Sequence, residues 1–74
     1  MIKAKEAKPG QIIRVILYPG DAGGTEYRVT ERQDVSGKTR VYSLFWDDEK
    51  RTRECNLTKR ADYIHNENDC IVIG

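Results

Sequence analysis

Apolar and polar positions alternate with a period of two in several separate stretches of this chain, and turn-forming residues stand between them. Residues 11–18 are rich in β-branched side chains and put Ile13, Val15 and Leu17 on one face of a strand. Residues 25–33 set Tyr27 and Val29 against Arg28, Thr30 and Arg32, and residues 39–46 form a third strand. In residues 51–57, Arg53, Cys55 and Leu57 alternate with Thr52, Glu54 and Asn56, and residues 62–73 hold two short strands about a turn at 66–69. The punctuation agrees. Lys8-Pro9-Gly10 has proline and glycine where a type II turn favours them, Asp34-Val35-Ser36-Gly37 is a hairpin signal, and Asp47-Asp48-Glu49-Lys50 is a polar connection. Helix has little room. Residues 2–8 and 58–62 are long enough for a turn or two, the second with Thr58 as its N-cap.

Short strands about ten residues apart predict an all-β fold, a single five-stranded small barrel with at most one short helical turn, because closure removes the edges that a short open sheet exposes. The opening turn and first strand, Ala7-Lys8-Pro9-Gly10-Gln11-Ile12-Ile13-Arg14-Val15, resemble those of Src-homology-three-like and Tudor-like small barrels. That resemblance covers nine residues and implies an architecture. Such barrels host unrelated functions, so it implies no activity.

The alternation predicts that Val15, Val29 and Val41 are buried. Two strands are apolar on both faces. The second face of residues 11–18 carries Ile12, Ile16 and Tyr18 around Arg14, while in residues 39–46 Val41 and Phe45 oppose Tyr42, Leu44 and Trp46. Either Ile2, Ile71 or Ile73 covers one of these faces, or Ile12, Ile16, Tyr18 and Tyr42 meet a protein partner or a second copy of the chain, since exposed apolar patches of a few hundred Å² mark interfaces.

At 74 residues the chain makes one small domain spanning 1–74, and 38% hydrophobic with 34% charged residues excludes wholesale disorder. No stretch approaches the roughly 20 apolar residues of a membrane span, and charges occupy residues 1–10 where a signal peptide is apolar. The expected location is therefore the cytoplasm, where Cys55 and Cys70 are free thiols packed as small hydrophobes. Neither cysteine has a metal-ligand spacing with His65, and no metal or cofactor is expected. The run Gly20-Asp21-Ala22-Gly23-Gly24 is similar to the segment around the nucleophile of trypsin-like serine proteases, but Ala22 stands where the serine belongs and the chain is far too short for that double barrel. With His65 the one obvious base, the chain reads as a binding module and not an enzyme.

A formal net charge of +1 hides an uneven distribution. Residues 50–60 set Lys50, Arg51, Arg53, Lys59 and Arg60 against Glu54, a local charge of +4 directly after Trp46. Basic side chains neutralise phosphates and aromatic faces stack unpaired bases, so this is the composition of a surface for RNA or single-stranded DNA. Arg28, Arg32, Lys38 and Arg40 can extend it. The opposing reading is a solvated strand face on which Asp47, Asp48 and Glu49 balance the cations. The second functional class is a protein-interaction or inhibitor protein, such as a phage or mobile-element regulator, docking through Ile12, Ile16, Tyr18, Tyr42 and the 19–24 loop.

Overall fold

The apolar alternation resolves into one antiparallel sheet. The computed structural model describes residues 1–21, 24–30 and 36–74. Within them run β1 (Ile2–Lys3), β2 (Ile12–Ile16), β3 (Glu26–Val29), β4 (Lys38–Asp47), β5 (Thr52–Cys55), β6 (Asp62–His65) and β7 (Asp69–Val72). The order across the sheet is β1-β7-β2-β3-β4-β5, and β6 also pairs with β4. The end of the expected 25–33 strand and the start of the 34–37 hairpin signal lie outside the described residues, as do Arg32 and, in the 19–24 loop, Ala22 and Gly23.

Strand β4 is the spine. Its first half pairs with β6, from Lys38↔His65 to Val41↔Asp62, and its second half with β5, from Leu44↔Cys55 to Asp47↔Thr52. Between those ladders the six residues 56–61 face only Tyr42 and Ser43, so they are pushed out as a loop. The Asn56 amide anchors its start on the Ser43 carbonyl at 2.9 Å. The helical turn expected at 58–62 is absent because the Thr58 hydroxyl turns back to donate to Asn56 Oδ1 at 2.7 Å instead of capping forward.

Five strands were expected, and the described residues hold seven; the sheet is not closed into a barrel. Strands β6 and β7 are joined through residues 66–68, yet β6 spends its ladder on β4 while β7 spends its own on β1 and β2. The N-terminal segment bridges the gap instead. A 3₁₀ turn, Ala4–Glu6, follows β1, and its amides reach the turn after β6: Ala4 donates to the Asn68 carbonyl at 2.8 Å and Lys5 to that of Asn66 at 3.1 Å. Ion pairs reinforce the seam, Lys3 to Asp69 at 2.9 Å and Lys5 to Glu67 at 2.7 Å. The expected turn at Pro9-Gly10 is present, with Gly10 at φ +89° and the Gln11 amide donating to the Lys8 carbonyl at 3.1 Å, as a type II turn requires.

Register decides which face is core. The pairs Ile13↔Tyr27, Val29↔Val41 and Val15↔Cys70 put one set of alternate residues inward, and Ile13, Val15, Val29, Val41 and Cys70 are buried there with Ala4 and Ala7. The expectation for Val15, Val29 and Val41 holds. Thr39 is buried among them, its Oγ1 donating to Asn66 Oδ1 at 2.7 Å, which satisfies the polar group that the core encloses. Leu17 leaves the inward set because β2 ends at Ile16, and it is 76% exposed.

Candidate nucleic-acid interface

The same register builds the opposite face. Ile12 stands across from Arg28, and Arg28 across from Tyr42; Arg14 faces Glu26; Arg40 faces Tyr63, Lys38 faces His65, and Trp46 faces Arg53. One outer surface therefore carries Arg14, Arg28, Lys38, Arg40 and Arg53 among Tyr42, Tyr63 and Trp46. Its described acids are already engaged. Asp69 holds Lys3, and Glu26 holds Arg53, whose Nε donates to Oε1 at 3.1 Å and stands 3.0 Å from Oε2. Oε2 is itself buried without a well-aligned hydrogen bond, as is Nε of Arg14 opposite it. Arg28 is steadied by donating to the Gly10 carbonyl at 3.3 Å.

Trp46 is 57% exposed because β4 outruns its neighbour. The β3–β4 ladder ends at Tyr27↔Ser43, so on the β3 side the rest of β4 borders the chain entering β3. There Gly24, Thr25, Glu26, Leu44, Phe45, Trp46 and Arg53 line a groove of about 380 Å³. An open groove with an indole on its wall offers a π-face to a ligand, while the guanidinium beside it is held by Glu26 of the same groove.

The basic run of residues 50–60 does not stay together. Trp46 and Arg53 share the groove. Lys50 lies on the β4–β5 hairpin, 3.3 Å from Glu54, and Arg51 is exposed beside it at φ +54°. Asp47 is not a counter-charge for these cations but the clamp of the hairpin: Oδ1 accepts from the Glu49 and Lys50 amides at 2.9 and 3.1 Å, and its carbonyl accepts from Arg51 at 2.8 Å. Lys59 is exposed on the 56–61 loop. Arg60, next to it, lies at the other half of β4, where Arg40, Tyr42, Arg60, Ala61 and Tyr63 line a second cavity of about 250 Å³. Of the alternative interface residues, Tyr42 belongs to this cavity. Ile12 lies against the C-terminal Gly74, whose carbonyl accepts its amide at 2.9 Å, and Ile16 and Tyr18 line a cleft with Met1, Leu17, Pro19 and Asp69.

Sequence reasoning singled out neither Arg14 nor Tyr63 for the site. Parity is the signal that finds them, since the ladder places Arg14, Arg28 and Arg40 on one face together with the Tyr63 that opposes Arg40. No protein-family model matches the chain, and no curated protein or solved structure matches it either. The site is therefore read from its chemistry alone.

Among the described residues no three His, Cys, Asp or Glu side chains stand close enough to hold a metal ion, and His65 is exposed at the end of β6. Both cysteines are free. Cys70 is fully buried, and burial followed by the neighbouring Asp69 pushes its thiol pKa up, which disfavours the thiolate. No helix among the described residues is long and apolar enough to cross a membrane.

Proposed function

We propose that this chain is a non-enzymatic binding module for single-stranded nucleic acid, RNA or DNA, and that the outer face of the sheet is its binding surface. On this reading the sheet is an opened form of the small barrel that the strand pattern suggests. The observation that carries the proposal is Trp46. A tryptophan in a small domain is usually core material, yet this one lies exposed in a groove, across the β4–β5 hairpin from Arg53 and on the same side of β4 as Tyr42 and Arg40. Stacking a base on the indole contributes about 1–3 kcal/mol and tolerates any sequence, because every base has a π-face. The cations supply the electrostatic part. Arg28, Lys38, Arg40 and Arg60 make no ion pair with any described residue, so phosphates need not compete with internal carboxylates for them.

Replacing Trp46 by alanine tests the stacking role directly, since an exposed side chain is removed without opening a cavity in the core. The expected result is a short oligonucleotide bound about 5- to 150-fold more weakly, the factor equivalent to one stacked base, with the melting temperature unchanged. Equal affinity of the two proteins contradicts the assignment.

A second reading has one observation in its favour. Met1, Leu17 and Tyr18 are 82%, 76% and 62% exposed and line one cleft with Ile16 and Pro19, an apolar patch suited to a protein partner.

A further inference from the structure

The second cavity is not an extension of the Trp46 groove. It lies along β4 toward the β6 half, and Tyr42 stands four positions before Trp46 on the same face, about 13 Å of extended strand. Among the described residues its walls are two arginines, two tyrosines and Ala61, with no carboxylate. Like charges gathered in one cavity repel unless an anion joins them, and no described acid pairs with either arginine. One of the arginines is held in place. Arg40 stacks its guanidinium carbon 5.2 Å above the Tyr42 ring and donates from Nη2 to the Tyr42 hydroxyl at 3.0 Å, while Tyr63 stands opposite it in the β4–β6 register. That arrangement fixes the plane of the guanidinium and leaves its other donors for a ligand. Arg60 arrives from the 56–61 loop, which the shift between the two β4 ladders pushes out at this point.

We propose that Arg40 and Arg60, with Tyr42 and Tyr63, form a phosphate pocket for a backbone phosphodiester of the strand whose base lies on Trp46. The inference rests on the nucleic-acid reading and adds a polarity of parts to it: a base is held at one end of β4 and a phosphate at the other. A dinucleotide has a single phosphodiester, directly beside the base on Trp46, and about 13 Å of extended strand separates Trp46 from Tyr42, so a dinucleotide on Trp46 does not reach the pocket.

The experiment compares a thymidine decamer with a thymidine dinucleotide, on the unmodified protein and on a variant carrying Arg40→Gln and Arg60→Gln. Losing two phosphate contacts is expected to make the dependence of log affinity on log salt shallower by about 1.4 for the decamer and to weaken its binding at low salt, while dinucleotide binding stays the same. Arg40→Lys with Arg60→Lys restores the slope, since lysine keeps the charge, and the melting temperature of each variant confirms that it is folded. Decamer binding with an unchanged slope in the glutamine variant overturns the pocket while leaving the Trp46 reading intact. No decamer binding by the unmodified protein overturns both. Inorganic phosphate added at constant ionic strength is expected not to displace the decamer; displacement at millimolar phosphate means that the pocket serves the free ion, and also overturns the proposal.

Discussion

Val41 is fully buried at the middle of β4, opposite Val29 on one side and Asp62 on the other, so its side chain touches the core where three strands meet. Replacing it by alanine deletes two buried methyl groups at about 0.8 kcal/mol each, and the cavity left behind adds about 1 kcal/mol, for a total of ~2–3 kcal/mol. A domain of this length has about 4–11 kcal/mol of stability in all, so the variant still folds but loses a large share of it. With a urea dependence of about 1 kcal/mol/M, its unfolding midpoint is expected to fall by about 2–3 M. Val72→Ala serves as the control, because Val72 is 39% exposed and has little burial to lose. A midpoint for Val41→Ala within about 0.5 M of the parent, or a larger shift in the control, refutes the assignment of the inward face.

Two further outcomes follow from the burial and ion pairs of the seam. A water-soluble thiol reagent is expected to label half-buried Cys55 in the native protein and to spare Cys70, which is fully enclosed and whose thiol pKa is raised by burial; labelling in the reverse order contradicts the fold around β7. The Glu67 carboxyl is held below its ordinary range by the hydrogen bond and charge of Lys5, so the pair stabilises the fold above the unfolded-state value and that contribution is lost as pH falls through the lower folded value. A carboxyl titration followed by NMR is expected to show that depressed midpoint and its return to normal in Lys5→Gln; an unmoved midpoint shows that the N-terminal turn does not hold the 66–68 turn in solution.

Alternation put Val15, Val29 and Val41 inward, and the structure buries them together with Ile13; strands 11–18 and 39–46 are apolar on both faces, so the choice of face there comes from the register and not from the period. The nearness of Trp46 to the basic run was legible as well, but its pairing with Arg53 comes from the β4–β5 ladder. The open sheet was not legible. What bridges it is a two-residue strand and a 3₁₀ turn, too short to carry a period, whose alanines reveal nothing until their burial is seen. Nor was the split of the basic run legible. Six residues facing two carry Arg60 to the far half of β4, and a shift of register leaves no mark in local composition. Arg14, Arg28 and Arg40 are far apart in the chain and become one surface only through the ladders.

The central claim is that the outer face holds single strands by stacking on Trp46, and the protein carries its own probe, for Trp46 is the one tryptophan in the chain. Intrinsic emission is to be followed while a short oligonucleotide of RNA, and then of DNA, is titrated at 50 and 200 mM salt. The account predicts saturable quenching of the indole by the stacked base. If Arg28, Lys38, Arg40 and Arg60 each meet a phosphate, it also predicts an affinity about 50-fold lower at the higher salt. Emission that does not change, together with no binding by anisotropy of a labelled strand at the lower salt, contradicts it.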